Sequence, residues 1–539
     1  MPDGYSPFLR IPPFPGHKGG ALTRTGHSNI DVQEIAAAII AERVGGSFWG
    51  AQPDMDNNVI LLAPDSEDQL QAMLARLSRD QRSAAIAPGM HLPNHCQRLP
   101  VDCDPWHLAA SAREVWTGAN QEIALVASLS GVSMSLFGDG RFAGCDVTPE
   151  AALAEAVSGW RYISPFTCED WSPITAIAQL AAWRKLIDAN RKIDAVYGVA
   201  GWKRVTLDAM LWDGSSPVAY ARGFRSIRAT RQYQIAWKSR VASRLLAKLA
   251  NSGAHVGEIE DGFIRSVGLG ANCVPPLSAI VDLTGIYFDP SQESDLEKIL
   301  QRENFDPALS DRAAALKKRL IEADISKYGQ IRNEIKLADK SRYKVRVAGQ
   351  VEDDRSICTG GAGMTNLELL ARARTHAPDA HIIYKPHPDV VAGHRKGHVE
   401  TADALRFADE IQNNAAITSL IEAVDGVHVI TSLAGFEALL RGKAVTTHGV
   451  PFYAGWGLTK DLSEVPARRT RRLSLDELVA GTLLLYPRYT DPVTRLPCSA
   501  ELLVERMAQG EARISTPLIT LREWQGRLRL LLRSFIRRH

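Results

Sequence analysis

Residues 254–289 read AHVGEIEDGFIRSVGLGANCVPPLSAIVDLTGIYFD, and the rest of the chain is interpreted around them. The run His255–Ile259 predicts a buried strand, which Glu260, Asp261 and a glycine follow directly. Carboxylates at the carboxyl end of a strand in an α/β domain lie at the edge where such domains bind ligands. We therefore predict a catalytic loop formed by this acid pair and the next cation, Arg265. Taken alone, an acid pair before a glycine is more often a turn with solvated charges, so the downstream motifs decide.

Length, charge and cysteine usage limit the classes of protein that fit. A chain of 539 residues is too long for one core, so about three domains are expected. The net charge of +2 gives no reason to expect a nucleic-acid partner. Seven scattered cysteines without a C-x-x-C pair favour reduced thiols over a disulfide framework or a zinc site. With no signal peptide and no apolar run of about 18 residues, a cytoplasmic location is expected.

Two segments in the first part of the chain resemble two segments near its end, which indicates an internal repeat. Residues Val115–Leu125 parallel Val429–Leu439 with a gap of one residue, and Arg161–Thr167 parallels Arg488–Thr494 in the same order. Two ordered matches at similar separation predict that the first part of the chain is a degenerate, partial copy of a nucleotide-binding half. No counterpart of the Glu-Asp-Gly loop precedes this copy, so it is not expected to perform chemistry by itself.

Strands and helices alternate in two halves after this copy, which predicts an α/β protein with two Rossmann-like domains facing a cleft. The cleft is the expected substrate site. The predicted division is a flexible arm (1–30), a degenerate Rossmann-like module (31–192), an N-terminal acceptor and catalytic domain (193–335), a C-terminal nucleotide-sugar-binding domain (336–510) and a basic amphipathic tail (511–539).

Two motifs of the second half predict phosphate contacts. The strand Val345–Ala348 runs into a turn with Gln350, and the glycine-rich turn 360–363 then feeds a helix whose free N–H groups suit a phosphate. Lys385 and His387 follow the next strand, where prolines hold the backbone. A lysine and a rigid histidine suit a phosphate that gains charge as a nucleotide departs. The alternative is a surface histidine in a proline turn.

A third motif places Thr431 and Ser432 between a strand and a helix. These hydroxyls are expected to cap the helix and to donate to a phosphate at its positive end, and Glu437 to accept from ribose hydroxyls. The alternative is a plain N-cap and a solvated glutamate. Three aromatic residues of the next loop are predicted either to stack on a base or sugar or to pack in the interior: Phe452, Tyr453 and Trp456.

The C-terminal segment 521–538 has apolar residues on one helical face and arginines mostly on the other. Basic amphipathic helices of this kind lie on anionic membrane surfaces. We interpret the segment as a peripheral contact with the inner membrane, and a helix that docks on its own protein is the alternative.

Four motifs in this order resemble the KpsC-type capsule polysaccharide proteins, specifically over about 195–510 and more weakly over about 40–190. The resemblance implies a GT-B fold and a retaining β-Kdo transferase that builds the Kdo linker between a phosphatidylglycerol-type lipid and a capsule chain. It implies CMP-Kdo as donor, a lipid or Kdo-lipid acceptor, capsule assembly proteins as partners, and no cofactor. Family members carry two transferase modules, so the shortened first module here predicts a single Kdo-adding activity. The motifs are EDGFIRSVGLG (260–270), YKPHPD (384–389), TSLAGFEALL (431–440) and PFYAGWGLT (451–459).

The same resemblance implies a role for each motif residue. Asp261 would be the nucleophile, Glu260 would tune charge or proton transfer, and Arg265 would pair with the Kdo carboxylate. Because adjacent carboxylates repel, the pKa of one of them should rise. The CMP phosphate would be held by Lys385, His387, Thr431 and Ser432, and the ribose by Glu437.

No metal is predicted, because the lysine, the histidine and a helix end meet the charge of the leaving group. The alternatives are a CMP-sialic-acid-type transferase, a sugar-nucleotide epimerase and a non-catalytic scaffold of a capsule assembly complex.

Overall fold

The computed structural model describes residues 6–56, 58–78, 80–145, 147–223, 233–266, 273–326, 329–330, 342–393, 395–413 and 415–514. Two compact units make up the chain. Unit 1 consists of Met1–Ile193, Asp208–Ala219 and Val493–Leu496, and unit 2 of Asp194–Leu207, Tyr220–Pro492 and Pro497–His539. Across the described ranges, no helix is both long enough and apolar enough to cross a bilayer.

Unit 1 is built on a five-stranded parallel sheet and a small antiparallel one. The parallel sheet has the order β4-β3-β2-β5-β6, and β1, β7 and β8 form the other sheet. The strands are β1 (Thr23–Thr25), β2 (Val59–Ala63), β3 (Arg82–Ala85), β4 (Cys96–Arg98), β5 (Glu114–Gly118), β6 (Met134–Phe137), β7 (Trp160–Ile163) and β8 (Asp170–Trp171). The helices are α1 (Val32–Glu42), α2 (Glu67–Arg76), α3 (Pro105–Ser111), α4 (Glu122–Leu129), α5 (Pro149–Ser158) and α6 (Pro173–Asn190).

Residues 6–14 of the N-terminal segment are packed, so the predicted flexible arm (1–30) is wrong for these residues. Phe8, Leu9 and Phe14 are buried, and the Phe14 ring meets the rings of Trp183 at 5.5 Å and Trp212 at 5.1 Å. The physical reason is apolar burial by a segment whose prolines leave little backbone entropy to lose.

The first sheet of unit 2 is mixed and has the order β10-β9-β11-β12-β13-β22-β23. Its strand β12 runs parallel to β11 and antiparallel to β13. The strands are β9 (Ile193–Tyr197), β10 (Tyr220–Ala221), β11 (Tyr233–Ala236), β12 (His255–Asp261), β13 (Ser278–Asp282), β22 (Pro487–Thr490) and β23 (Pro497–Cys498). A hairpin, β14 (Ile325–Ser326) and β15 (Gly329–Gln330), stands apart from this sheet.

The second sheet of unit 2 is parallel and has the order β18-β17-β16-β19-β20-β21. Counted along the chain this is 3-2-1-4-5-6, the Rossmann order, in which ligands bind between the first and fourth strands. The strands are β16 (Lys344–Ala348), β17 (His381–Lys385), β18 (Glu410–Ile411), β19 (Gly426–Val429), β20 (Ala444–Thr447) and β21 (Lys460–Asp461).

The helices of unit 2 complete its α/β layers. They are α7 (Arg204–Leu211, which ends in unit 1), α8 (Ser243–Asn251), α9 (Asp295–Arg302), α10 (Pro307–Glu322), α11 (Arg355–Gly360), α12 (Asn366–His376), α13 (Pro388–Val391), α14 (Thr401–Ala404), α15 (Ile417–Ala423), α16 (Leu433–Leu440), α17 (Leu475–Val479) and α18 (Ala500–Ala508). A π-helical turn, Ala480–Leu485, follows α17.

The parallel sheet of unit 1 has the order 3-2-1-4-5, the same as the first five strands of the second sheet of unit 2. Of the two segments that resemble each other in sequence, Val115–Leu125 covers most of β5 and the first half of α4, and Val429–Leu439 begins at the last residue of β19 and covers most of α16. Each segment thus runs from the fourth strand of its sheet into the following helix. The shared order supports the internal repeat, which stays a prediction. The boundary expected at residues 335 and 336 lies outside the described residues.

The core of unit 2 holds the acid loop in place. Phe263, two residues after Asp261, packs on Phe452 with ring centroids 5.0 Å apart. Gly262 leaves no room for a side chain, since an added Cβ would lie 2.2 Å from Ser278 Oγ. The loop is therefore anchored directly beside the two acids.

Candidate active site

Three strands of the mixed sheet end side by side and bring one side chain each to the same place. The Trp237 N–H, just after β11, donates to the Tyr197 carbonyl at the end of β9 at 2.9 Å. Asp261 ends the next strand, β12. Lys203 arrives from β9 through a turn at Gly198, whose φ of +76° favours glycine. The carboxyl edge of this sheet therefore collects a lysine, an indole and a carboxylate.

Asp261 accepts hydrogen bonds from two buried cations. Lys203 Nζ donates to Oδ1 at 2.9 Å, and Arg265 Nε donates to Oδ2 at 2.8 Å. Burial alone would raise the pKa of Asp261, but the charges and hydrogen bonds of the two cations outweigh burial and lower it. The aspartate side chain is 23% exposed, whereas those of Lys203 and Arg265 are nearly inaccessible. Asp261 is thus an oriented anion with one side open.

Glu258 and Glu260 occupy the opposite face of β12 from Asp261, because successive strand residues alternate between faces. Glu258 is fully buried and pairs with Lys238 at 3.2 Å. It also accepts from Arg355 Nη2 at 3.2 Å, and Arg355 Nη1 lies 3.7 Å from Glu260 Oε1. Since Arg355 begins α11, after the first strand of the parallel sheet, this cluster joins both sheets of unit 2.

The two adjacent acids have opposite pKa shifts. Burial and then the negative charges of Glu258 and Asp261 raise the pKa of Glu260 to about 7, against the opposing charges of Lys203 and Arg355. The direction expected for one member of the acid pair is found, but burial, and not repulsion between the two adjacent acids, is its largest cause. Near neutral pH the site therefore contains one fixed anion, Asp261, beside one carboxyl that exchanges its proton.

The parallel sheet brings several of the predicted nucleotide contacts together at its switch point. Gln350, after β16, accepts from the Thr431 N–H at 2.9 Å and donates to Thr431 Oγ1 at 3.1 Å, across the gap between the first and fourth strands. Ser356 Oγ lies 3.4 Å from Thr431 Oγ1. Ser432 caps α16 by accepting from the Ala434 N–H at 3.2 Å. Hydroxyls and an amide therefore surround the positive end of α16.

Lys385 and His387 lie at the end of the neighbouring strand, β17. Lys385 donates to the Asn413 carbonyl, and burial lowers the pKa of Lys385 to about 8. His387 caps α13 by accepting from the Asp389 N–H at 3.2 Å, and burial lowers its pKa as well. Asp354, the N-cap of α11, is among the charges that act on His387. The histidine is thus held as a cap, with about a third of its side chain exposed.

Two groups of predicted contacts lie in the interior instead. Glu437 is buried and pairs with Arg441 at 2.8 Å, and burial raises its pKa. This arrangement favours a buried ion pair over both a ribose contact and a solvated residue. The aromatic residues of the later loop are also buried, which favours packing over stacking: Phe452, Tyr453 and Trp456.

Arg265 bonds three protein groups with its guanidinium. Besides Asp261, it donates to Ser266 Oγ at 2.7 Å and to the Val274 carbonyl at 3.1 Å. The side chain is 2% exposed. This geometry orients Asp261 and presents little of the guanidinium to a ligand carboxylate.

Sequence reasoning missed three charged residues of the site: Lys203, Glu258 and Arg355. One available signal was that Lys203 follows a strand and a glycine turn, which places it at the sheet edge where β12 ends with Asp261. Nothing local to residues 203 or 355 identifies Asp261 or Glu258 as the partner. The predicted membrane helix at 521–538 lies outside the described residues and stays a prediction.

Comparisons with known proteins agree with the motifs. A family model described as capsule polysaccharide biosynthesis protein matches residues 234–344 and 310–489. The chain is 41% identical over 331 residues to the lipopolysaccharide-processing protein LpsZ of Rhizobium meliloti, a match that covers 58% of this chain and 73% of LpsZ. The chain belongs to the capsule polysaccharide biosynthesis protein family.

Two further similar proteins extend the comparison. The capsule polysaccharide modification protein LipA of Neisseria meningitidis serogroup A / serotype 4A is 41% identical over 348 residues, 63% of this chain and 49% of LipA. The chain thus spans about half the length of that relative. The solved structure of Thermosulfurimonas dismutans KpsC, beta Kdo 2,4 transferase, is 31% identical with a TM-score of 0.51, and the match covers 58% of this chain and 98% of that one. The predicted resemblance to KpsC-type proteins is confirmed.

Proposed function

We propose that this chain is a GT-B glycosyltransferase that transfers β-linked Kdo from CMP-Kdo to a lipid-linked acceptor in capsule polysaccharide biosynthesis. Family membership and the similarity to a protein named as a β-Kdo transferase support the sugar and the pathway. The observation that carries the chemistry is the pairing of each Asp261 carboxylate oxygen with one buried cation, Lys203 or Arg265, while the pKa values of Asp261 and Glu260 shift in opposite directions. Carboxyls whose environments separate their pKa values are suited to different catalytic tasks.

In the first step, an Asp261 oxygen attacks the anomeric carbon of Kdo. The bond from that carbon to the phosphate oxygen breaks, and CMP leaves with the electron pair. Asp261 suits this role because Lys203 and Arg265 keep it ionised and oriented. In the second step, the acceptor hydroxyl attacks the same carbon from the vacated side, and Asp261 is released as a carboxylate. Two displacements retain the anomeric configuration.

Glu260 has the pKa needed for the second step. With a pKa of about 7, Glu260 is partly ionised near neutral pH. Because β12 ends at Asp261, we infer that the Glu260 side chain extends past the strand end to accept the proton of the acceptor hydroxyl. Burial, and then the charges of Glu258 and Asp261, raise the pKa of Glu260 and make it a stronger base than an ordinary glutamate.

The CMP phosphate is proposed to lie at the switch point of the parallel sheet. Thr431 and Ser432 precede α16, where the helix dipole favours an anion, and Gln350 orients Thr431. Lys385 and His387 supply the remaining charge and donors, so the proposal needs no cofactor besides the donor. Ribose recognition is not assigned to Glu437, because that residue is in a buried ion pair.

The donor is tested by supplying the purified chain with CMP-Kdo and a synthetic lipid-linked Kdo acceptor. We expect the acceptor to gain the mass of one Kdo, with a β linkage by NMR, and a parallel reaction with CMP-sialate to give no product. Transfer from CMP-sialate alone would assign a different donor, and no turnover of either donor would favour a scaffold.

The mechanism is tested by omitting the acceptor. The wild-type chain incubated with CMP-Kdo should carry one Kdo on the peptide that contains Asp261, and Asp261→Asn should carry none. A Kdo adduct on another residue, or an α-linked product, would contradict the double displacement at Asp261.

A further inference from the structure

Lys203 has no role in any of the motifs, yet its ammonium is enclosed by groups from three strand ends. Its Nζ lies 2.9 Å from Asp261 Oδ1 and 3.3 Å from the centroid of the Trp237 ring, with Trp202 at 5.4 Å. The Lys203 residue is only 2% exposed. A buried ammonium is costly unless it is paired, and here one carboxylate and one indole face supply the pairing.

The backbone on either side of Lys203 is held by a hydrogen-bonded turn and by close packing at Gly198. The residue ends a one-turn helix, Gly201–Lys203, and its N–H donates to the Ala200 carbonyl at 3.0 Å. A side chain at Gly198 would lie 3.0 Å from the Trp237 carbonyl, so the turn packs tightly against the residue whose ring covers the ammonium. The position of Nζ is therefore fixed from both sides.

We propose that Lys203 is the positioning residue of this site: its ammonium, held against Trp237, aligns the Asp261 carboxylate and keeps it anionic. This inference rests on the proposed function, since alignment of Asp261 matters only if that carboxylate attacks the donor. Arg265 bonds the other oxygen of Asp261, so the two cations together fix the plane of the carboxylate. Removal of either one frees that plane to rotate.

The charge state of Lys203 gives the inference a distinctive signature. Burial lowers the pKa of Lys203 to about 8, against the opposing effects of Asp261 and Glu260 and in the same direction as that of Arg265. Above about pH 8 the amine loses its charge and Asp261 loses one of its two cations. Activity should therefore fall above this pH, whereas an arginine at the same position stays charged throughout.

The test compares Lys203→Met and Lys203→Arg in the CMP-Kdo transfer assay. Lys203→Met should lower kcat by about 100-fold, the loss that a misplaced reacting group produces, with little change in the KM for CMP-Kdo. Lys203→Arg should recover part of kcat and make the fall in activity above pH 8 smaller. The remaining fall belongs to Lys385, which is assigned to the CMP phosphate and also has a pKa of about 8. Wild-type kcat in Lys203→Met, or an unchanged alkaline fall in Lys203→Arg, would overturn the inference.

The matched control is Lys317→Met, which removes a lysine that pairs with Asp476 at 2.6 Å on the helices α10 and α17. It should leave the pH profile unchanged, so a general effect of losing an ion pair is separated from positioning. Thermal unfolding of each variant shows whether it is folded.

A second measurement does not depend on turnover. Competitive labelling of Lys203 with acetic anhydride at a series of pH values, read by peptide mass spectrometry, reports its pKa directly. The midpoint should move to lower pH in Asp261→Asn, because Asp261 raises the pKa of the buried amine. An unchanged midpoint contradicts the coupling of the two residues, whereas absence of sugar transfer by the wild-type chain contradicts only the proposed function.

Discussion

The parallel sheets of the two units share their strand order, yet the groups at their switch points differ. In unit 2, Gln350 and Thr431 bond each other across the gap between the first and fourth strands. In unit 1, Asp65 follows the first strand and accepts from the N–H of Asn120, after the fourth strand, at 3.1 Å. Gln121 Nε2 also donates to Asp65, at 3.0 Å. After the first strand, the parallel sheet of unit 2 therefore has the neutral side chain of Gln350, whereas the parallel sheet of unit 1 has the carboxylate of Asp65.

The position of Asp65 makes the switch point of the parallel sheet of unit 1 unfavourable for a nucleotide phosphate. Its carboxylate lies close to Gly118, where an added Cβ would be 2.3 Å from Oδ2, and it uses donors that precede α4. An anionic phosphate at that helix would meet this charge. Arg10, from the N-terminal segment, bonds Glu122 in the first turn of α4. The comparison teaches that the same strand order serves binding only where the strand-end side chains leave donors for a ligand.

The largest effect is expected when Asp261 of unit 2 is replaced, and the same replacement of Asp65 in unit 1 tests the difference between the two units. Asp261→Asn should lower transfer by about 1,000-fold or more, as expected for loss of a nucleophile. Asp65→Asn should leave transfer unchanged, because unit 1 is not assigned chemistry. Both are measured in the same CMP-Kdo transfer assay. Loss of transfer in Asp65→Asn with an intact fold would show that unit 1 takes part.

The next effect concerns nucleotide stoichiometry. Calorimetric titration with CMP should give one site per chain. Thr431→Ala combined with Ser432→Ala should weaken binding by about 100-fold or more, since each hydrogen bond to a charged group is worth about 1.5–3 kcal/mol and two are lost. Asp65→Ala is the matched variant in unit 1 and should leave both affinity and stoichiometry unchanged. Two CMP molecules per wild-type chain would break the comparison.

A smaller effect is expected on stability. Arg355→Met removes one of the two cations that Glu258 pairs with, and a fully buried carboxylate with an incomplete partner set is costly, by about 2 kcal/mol or more. Lys317→Met removes a partly exposed pair and should cost less, about 0–1 kcal/mol. Thermal unfolding should therefore show a larger loss of Tm for Arg355→Met. Equal losses would mean that the link between the two sheets of unit 2 contributes little.

Glu260 is also expected to make the stability depend on pH. Its pKa rises from 4.5 to about 7 on folding, so its stabilising contribution is complete below pH 4.5 and is lost as the pH rises through 7. Glu260→Gln does not titrate, so its Tm relative to wild type should increase between pH 5 and pH 8. The exposed Glu155 on α5 provides the control, Glu155→Gln, for which no such change is expected. A flat difference for Glu260→Gln would contradict the raised pKa.

Much of the fold was predictable because strands, turns and helices depend on nearby residues. The Tyr-Lys-Pro-His-Pro motif ends β17 where the pattern predicts, and Asn366 begins α12. The acid pair was predicted to follow its strand, but β12 extends through Asp261 because it pairs with β13 to that residue. The flexible arm was predicted wrongly for the residues around Phe14. The aromatic partners of Phe14 are Trp183 and Trp212, which lie far away in the sequence, so no local pattern indicates the contact.

The sequence by itself determined the order of the motifs, the family and the identity of the two central acids, because those follow from residues adjacent in the chain. Only the tertiary structure decided the charges of those acids. Lys203 is separated from Asp261 by 58 positions and Arg355 from Glu258 by 97. Such partners come together only through the order of strands in the sheets, and their charges, together with burial, then shift the pKa values of the two acids. That is why Asp261 and Glu260, neighbours in sequence, have opposite pKa shifts.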